Sequence, residues 1–184
     1  MDHTILHRPS DESSDTGPAP SAASGSSSLR LSPAEDRLIA WAMAHGGRLL
    51  VVDDSPTNRL LTAALMRKAG FTVDTADGGA EAIATVATAQ TPYDAVLMDV
   101  AMPEVDGIAA TRAIRALTGP RAGVPIIAVT AHGFAEDRER CVSAGMNDYV
   151  PKPVRRPELL AALKRWLEPR VQDGGAVRRT SLVP

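Results

Sequence analysis

The feature that most constrains the fold is a regular alternation, between residues 48 and 168, of short apolar runs and segments with helical periodicity. This alternation is typical of βα units that stack into a parallel sheet. The runs around Leu50, Val96 and Ile127 are apolar at consecutive positions, as expected for strands that are covered on both faces. The predicted strands are RLLVV (48–52), FTVDT (71–75), DAVLM (94–98), PIIAV (125–129) and NDYV (147–150).

Residues that typically start or end helices lie between these strands. Ser55 before Pro56 is typical of an N-cap followed by the first helical residue, and Gly70 is expected to end that helix. Asp106 is expected to cap a helix over 107–117. The remaining boundary signals are Gly119 with Pro120, Gly145 and Pro157. The pattern predicts an α/β fold of about five βα units, doubly wound around a parallel sheet in a single domain.

Four segments are expected along the chain. Residues 10–28 are nearly all Ser, Ala, Gly, Pro and acidic residues, a composition that buries too little apolar surface to offset the entropy of ordering. We therefore expect a disordered arm over 1–30, a folded domain over 47–168 and a flexible tail over 169–184. Residues 31–46 contain a helical pattern that suits either an extra helix docked on the domain or a linker helix from a longer protein.

Composition excludes several classes of protein. Twenty basic and 22 acidic side chains give a formal net charge of −2, which favours neither nucleic acid nor an anionic membrane as a partner. A single cysteine, Cys141, rules out an intrachain disulfide and is compatible with a reducing compartment. No signal peptide and no apolar run of about 18 residues is present, so the sequence predicts a soluble, cytoplasmic protein.

Polar residues follow the predicted strands at one edge of the sheet. In an open parallel sheet, ligands bind beyond the carboxyl ends of the strands, where Asp53, Asp54, Asp99, Thr130 and Lys152 would meet. Two carboxylates 4 Å apart repel by about 4 kcal/mol at an effective dielectric constant near 20, so a cluster of three needs compensating charge. Lys152 supplies one positive charge, and Mg²⁺, which prefers oxygen ligands, would supply two more. This combination is typical of a phosphoryl-transfer site.

The segments VVDD, LMDVAMPEVDG, AVTA and YVPKP resemble, in order and spacing, the receiver domain of bacterial two-component response regulators. The resemblance covers about 120 residues, and a match at several separated positions is far more specific than any one short motif. It implies a flavodoxin-like fold with strand order 2-1-3-4-5, which brings the first and third strands side by side. The segments DDSPTNR and ERCVSAGMNDYVPKPV look closer to the receivers of hybrid histidine kinases.

The resemblance also implies a metal site and a phosphoryl acceptor. Asp99 corresponds to the aspartate that accepts the phosphoryl group, and Asp53 and Asp54 correspond to the acidic pair that binds Mg²⁺. Together with Asp99 and the backbone carbonyl of Ala101, that pair would complete the metal site. The cofactor implied is therefore Mg²⁺.

Four further residues match positions of the family that respond to phosphorylation. Lys152 resembles the lysine that holds the phosphoryl oxygens, and Pro153 resembles a proline that follows a cis peptide bond. Thr130 resembles the switch hydroxyl, and Tyr149 the aromatic residue that changes rotamer with it. Phosphorylation would then alter the face formed by the fourth helix, fifth strand and fifth helix of the βα series.

The function expected from these features is that of a phospho-accepting receiver in a two-component phosphorelay. A sensor histidine kinase or a histidine phosphotransfer protein would donate the phosphoryl group to Asp99, and the only catalysis would be self-catalysed phosphorylation and dephosphorylation. The chain could be a stand-alone regulator or the receiver of a hybrid kinase. The alternative is an interaction module that keeps the fold but signals without phosphorylation, whose expected mark is the loss of a pocket residue.

Each residue also has a simpler interpretation. Alone, Asp53 and Asp54 would suit a turn followed by a helix cap, and Tyr149 would suit a half-buried core position. His45 could be interpreted as the phospho-accepting histidine of a transfer module, which needs a helix that continues past it. Two glycines follow His45, so we expect it to lie at the end of a helix instead. Cys141 is expected to be a packing residue, and His132 a loop residue near the mouth of the pocket. A small phosphatase would need an additional substrate pocket and acid–base group, for which the sequence offers no candidate.

Overall fold

The structure is a computed structural model that describes residues 32–131 and 135–168. The predicted arm at 1–30, the predicted tail at 169–184 and His132 lie outside the described residues. Among the helices that are described, none combines the length and the apolar character needed to cross a bilayer.

The sheet has five parallel strands in the order β2-β1-β3-β4-β5, as the resemblance implied. Four strands begin one residue later than predicted. Phe71 precedes β2 because its N–H donates to Met66 O at the end of the preceding helix (3.2 Å), and Pro125 precedes β4 and has no N–H to donate. The strands are β1 Arg48–Val52, β2 Thr72–Ala76, β3 Ala95–Asp99, β4 Ile126–Thr130 and β5 Asp148–Pro151.

Six α-helices accompany the strands in the described residues: α1 Pro33–His45, α2 Pro56–Lys68, α3 Gly79–Thr88, α4 Gly107–Arg115, α5 Ala135–Ala144 and α6 Arg156–Leu167. The predicted caps are confirmed, since the side chains of Ser55 and Asp106 accept hydrogen bonds from the first turns of α2 and α4. The helix predicted over 107–117 is two residues shorter. It ends at Arg115, and the N–H of the C-cap residue Ala116 donates to the carbonyls of Arg112 and Ala113. A 3-10 helix, Gly119–Gly123, follows it where only a stop was predicted.

Two apolar clusters, one on each face of the sheet, form the core. Successive side chains of a strand point to opposite faces, so Leu49 and Leu50 of β1 belong to different clusters. One cluster includes residues of α3, α4 and α5, among them the buried Cys141, and the other includes residues of α2, α6 and α1. Because both faces are covered, β3 and β4 are buried at every position, as their apolar sequences predicted.

Helix α1 packs against the second cluster. Ala42 is fully buried, and Leu38, Ile39 and Trp41 lie against the cluster. The Trp41 ring lies 6.3 Å from the Phe71 ring and 5.8 Å from Lys164 Nζ of α6. Helix α1 ends at His45, as predicted, immediately before β1. It therefore covers the ends of α2 and α6 at the amino-terminal edge of the sheet.

Candidate functional site

Three carboxylates converge at the carboxyl-terminal edge of the sheet. Asp53 and Asp54 directly follow β1, Asp99 ends β3, and these two strands are hydrogen-bonded neighbours. One carboxylate oxygen from each residue lies within 4.8 Å of the others. Asp53 is 3% exposed and Asp99 is 2% exposed, whereas Asp54 is exposed to solvent. The strand order thus brings together three acids that are separated by up to 46 positions in the chain.

Lys152 reaches this cluster from the strand β5 side. Its Nζ lies 2.7 Å from Asp99 Oδ2 and 2.9 Å from Asp53 Oδ2. Its backbone N–H donates to Thr130 O (2.7 Å), and the peptide bond between Lys152 and Pro153 is cis. The ammonium is therefore held between the two most buried carboxylates of the site.

Close backbone packing fixes the position of Asp99. Gly107, the first residue of α4, lies so near that a Cβ there would be 2.1 Å from the Asp99 carbonyl oxygen, so only glycine fits. The N–H of Ala101 donates to Asp99 Oδ1 (3.3 Å). The Asp99 carboxylate therefore has one oxygen on Lys152 and the other on the backbone of the loop that leads into α4.

Burial and the neighbouring charges shift the protonation equilibria of this site. Burial is the largest influence on Asp99 and raises the pKa of its carboxyl group; the charge of Asp53 adds to the rise, and Lys152 opposes it. Burial alone would lower the pKa of the Lys152 ammonium, but its hydrogen bonds to Asp99 and Asp53 outweigh burial and raise that pKa. The Lys152 side chain therefore carries a positive charge at neutral pH.

The charges of the cluster do not balance. Asp53, Asp54 and Asp99 contribute −3 and Lys152 contributes +1, which leaves −2. Every additional ligand atom that the cluster offers is oxygen, the donor type that Mg²⁺ prefers. The residues present therefore fit a divalent cation in both charge and chemistry.

Thr130 and Ala101 line an open cleft of about 550 Å³ beside the carboxylates. Thr130 ends β4 and is 7% exposed, while Ala101 is exposed in the loop after β3. Met102 and Ile108 form apolar walls, and Arg140 of α5 lies on the same cleft. The cleft therefore opens to solvent next to the loop that follows Asp99.

Tyr149 lies outside the cluster of acids, on the surface of β5. It is 37% exposed, and the guanidinium carbon of Arg138 in α5 lies 5.3 Å from its ring centre. In the sheet it pairs with Ala128, two positions before Thr130. Of the seven predicted site residues, Asp53, Asp54, Asp99 and Lys152 meet directly, Thr130 and Ala101 border them, and Tyr149 is at the periphery.

Sequence reasoning missed Arg59. This residue of α2 donates from Nη1 to the backbone carbonyl of Asp53 (2.6 Å) and to that of Asp54 (3.5 Å). The sequence does contain a signal, because a cation near the first turn of a helix opposes the helix dipole and so calls for a local partner. The N–H of Ser55, considered only as a helix cap, also donates to Asp53 Oδ1 (2.9 Å).

Comparison with known proteins identifies the domain. Residues 49–164 match the family described as the response regulator receiver domain. The chain is 40% identical over 121 residues to the sensor protein GacS of Pseudomonas syringae pv. syringae, covering 65% of this chain and 13% of that protein. It is 39% identical over 118 residues to the signal transduction histidine-protein kinase BarA of Shigella flexneri, covering 64% of this chain and 12% of that protein.

A solved structure agrees with the sequence relatives. It is the receiver domain of a sensor histidine kinase from Pseudomonas aeruginosa PAO1, solved with a magnesium ion coordinated in its active-site cleft. Sequence identity is 43% and the TM-score is 0.61, with 66% of this chain and 98% of that chain covered. The chain therefore spans a whole receiver domain but only about an eighth of GacS or BarA.

Proposed function

The chain belongs to the response regulator receiver family, a family of phosphoacceptor signalling domains, and we propose that Asp99 is its phosphoryl acceptor. The observation that carries the proposal is the position of the Asp99 carboxylate, 2.7 Å from Lys152 Nζ and beside the carboxylates of Asp53 and Asp54. A nucleophile, an ammonium and a site for a divalent cation are the components that phosphoryl transfer requires.

The cation in this proposal is Mg²⁺, held by the carboxylates of Asp53, Asp54 and Asp99 and by the backbone carbonyl of Ala101. Support comes from the charge of −2 that remains after Lys152 is counted. When bound, Mg²⁺ would withdraw electron density from the phosphoryl oxygens and offset the repulsion between the donor and the carboxylates.

The transfer itself is a displacement at phosphorus. An Asp99 carboxylate oxygen forms a bond to the phosphorus of a phosphohistidine, the phosphorus–nitrogen bond breaks, and its electron pair stays on the imidazole. Lys152 would turn its N–H donors toward the transferred oxygens, where negative charge collects. The donor would approach through the open cleft that Ala101 and Thr130 line. Hydrolysis of the acyl phosphate, in which water replaces Asp99, would return the domain to its starting state.

Phosphorylation would be read out on the face formed by α5, β5 and α6. The proposed sequence is that the Thr130 hydroxyl moves toward the phosphoryl group and Tyr149 then changes its rotamer. Two observations support it: Thr130 lines the cleft beside Asp99, and Tyr149 is half exposed against Arg138 rather than fixed in the core. Both residues belong to neighbouring strands, β4 and β5.

The donor would be a sensor histidine kinase or a histidine phosphotransfer protein, and the domain would act as the receiver of a hybrid kinase or as a stand-alone regulator. GacS and BarA are named as a sensor protein and a histidine-protein kinase, and the matched segment is a small part of each. We propose that 47–168 is the receiver unit, with α1 as an added helix at its amino-terminal edge.

Intact-mass measurement tests the acceptor. With Mg²⁺ and acetyl phosphate, the protein should gain one phosphoryl group, and Asp99→Asn should gain none. Asp106→Asn is the matched control, because Asp106 is a nearby carboxylate that caps α4 and an asparagine retains the cap. The proposal is wrong if Asp99→Asn is phosphorylated as fully as the unaltered protein or if Asp106→Asn alone loses the modification.

A further inference from the structure

We propose that Arg59 is a positioning residue for the metal-binding acidic pair, a role that rests on the proposed function of Asp53 and Asp54. Its guanidinium would hold the backbone of both residues so that their carboxylates point into the pocket. The inference comes from the contacts of Arg59, which reach the main chain of the pair and not its side chains.

Asp53 is fixed through both its backbone and its side chain. Its N–H donates to Ala76 O at 3.3 Å. Its carbonyl oxygen accepts from Arg59 Nη1 at 2.6 Å, one carboxylate oxygen accepts from the N–H of Ser55 at 2.9 Å, and the other lies 2.9 Å from Lys152 Nζ. Two of these contacts orient the side chain. Among the contacts of residues 32–131 and 135–168, the one from Arg59 to the Asp53 carbonyl is the only one made to the peptide unit that connects Asp53 to Asp54.

Asp54 has fewer constraints. Within residues 32–131 and 135–168 its carboxylate makes no hydrogen bond or ion pair, although an oxygen of it lies within 4.8 Å of the other two acids. Its carbonyl receives the longer contact from Arg59, at 3.5 Å. Because Asp54 follows the held peptide unit, its direction depends on that unit more than on any contact of its own side chain.

The location of Arg59 is unfavourable unless it has such a role. It is the fourth residue of α2, close to the positive end of the helix dipole, where a cation is disfavoured. The carbonyl oxygens of the loop that precedes the helix provide the compensating acceptors. The same contacts keep the guanidinium on the main-chain side of the pair, so that Arg59 itself does not occupy the carboxylate oxygens.

The helix also contains a matched control. Arg67 of α2 donates from Nη2 to the carbonyl of Val73 at 2.7 Å, so it makes the same kind of contact from the same helix. Val73 lies in β2, away from the three acids. Replacing Arg67 with Gln removes a charge and a guanidinium–carbonyl hydrogen bond without touching the acidic pair.

The experiment is a calorimetric Mg²⁺ titration of the full chain, with the free energy of unfolding measured in parallel by urea in the absence of metal. We expect Arg59→Gln to weaken Mg²⁺ binding by about tenfold, a typical effect of removing a group that orients a metal ligand. Arg59→Lys should be intermediate, since an ammonium can keep one of the two contacts. Arg67→Gln should lower stability but leave the Mg²⁺ affinity within about twofold of the unaltered protein.

The outcomes separate the possible errors. If Arg59 acted only through its charge, Arg59→Gln would bind Mg²⁺ more tightly and Arg59→Lys would be unchanged; either result overturns positioning. Equal affinities for Arg59→Gln and Arg67→Gln overturn it as well. If the unaltered protein binds no Mg²⁺, or if Asp54→Asn binds as tightly as the unaltered protein, the proposed metal site is wrong and the role of Arg59 falls with it.

Discussion

The carboxylate that binds the first residue of strand β1 and the carboxylates that follow its last residue have opposite electrostatic surroundings. In the middle of the neighbouring strand β2, Asp74 Oδ2 accepts from Arg48 Nε (2.9 Å) and from the Tyr93 hydroxyl (2.8 Å), and the Arg48 guanidinium carbon lies 4.4 Å from the centre of the Tyr93 ring. We call these three residues the edge cluster. One carboxylate there meets one guanidinium and one hydroxyl, so the charges balance.

At the carboxyl-terminal edge, three carboxylates share one ammonium, and a charge of −2 is left over. The edge cluster is complete without any ligand, and its effect is to stabilise the fold. The cluster of Asp53, Asp54, Asp99 and Lys152, which we call the acidic pocket, keeps an excess of negative charge, and the repulsion between its carboxylates opposes folding. The comparison therefore separates ionic groups that serve stability from those that serve binding, by their charge balance rather than by residue type.

The largest expected effect comes from removing the cation of each region. Lys152→Met leaves Asp53 and Asp99, which are nearly buried, without their ammonium, and should lower the free energy of unfolding by about 3–5 kcal/mol in EDTA. Arg48→Met should lower it by about 1–2 kcal/mol, because the Asp74 side chain is 41% exposed and keeps the Tyr93 hydroxyl. Urea unfolding at pH 7 measures both values. A larger loss for Arg48→Met would contradict the comparison.

The stability that the edge cluster contributes should fall at high pH, when the Tyr93 hydroxyl loses its proton. Burial and the hydrogen bond to Asp74 raise the pKa of Tyr93 to about 12, from an ordinary value near 10. Because the pKa is raised on folding, the stabilisation is complete below about pH 10 and is lost as the pH rises to about 12.

Absorbance of the tyrosinate measures this shift. The chain has two tyrosines, so Tyr149→Phe leaves Tyr93 as the only one that titrates. The folded variant should titrate with a midpoint near 12, and adding Asp74→Asn should lower that midpoint because the carboxylate partner is lost. A midpoint near 10 in the folded Tyr149→Phe variant would mean that Asp74 does not hold the hydroxyl.

The same substitution should have opposite signs in the two regions. Asp74→Asn removes the acceptor of Arg48 and Tyr93, and should lower the free energy of unfolding by about 1–2 kcal/mol. Asp54→Asn removes repulsion from an exposed carboxylate, and should raise the free energy of unfolding in EDTA by about 0.5–1 kcal/mol. Urea unfolding without metal tests both signs, and destabilisation by Asp54→Asn would break the contrast.

The pH dependence of stability gives a further test of Asp74→Asn. The hydrogen bond from Tyr93 is the largest cause that lowers the pKa of Asp74 below its ordinary value, and Arg48 adds to the effect. A lowered pKa means that the stabilisation is present above the ordinary value, near 4, and is lost as the pH falls through the folded value. The difference between Asp74→Asn and the unaltered protein should therefore vanish in acid.

Much of the fold followed from local pattern. The continuous apolar runs predicted β1, β3 and β4 as central strands, and all three are buried on both faces. Ser55, Asp106, Gly70 and Gly145 set helix boundaries, because capping and left-handed backbone conformations depend on the residue itself and its nearest neighbours. The strand order came from resemblance to a family and was confirmed.

The features that the sequence did not predict depend on contacts between different elements of the fold. Four strands begin one residue after their predicted start, because the first paired residue depends on hydrogen bonds to a neighbouring strand and to the preceding helix. The docking of α1 was left open, since a row of apolar residues does not say whether another surface covers it; here Phe71 and α6 do. Arg59 was overlooked because its partners are carbonyl oxygens: a cation near the first turn of a helix signals the need for a partner, but the sequence does not say which groups supply it.

The sequence by itself determined which chemical groups the protein has, where its helices and strands fall, and that acids follow two strands and a lysine a third. It could do so because propensity, capping and apolar periodicity act over a few residues. Only the tertiary structure decided that Lys152 lies between Asp53 and Asp99 and that Asp74 is balanced by Arg48. It also decided that the Asp54 carboxylate makes no hydrogen bond or ion pair within the described part of the chain. Those relations depend on distances across the sheet, and electrostatic energy depends on distance and burial rather than on order along the chain.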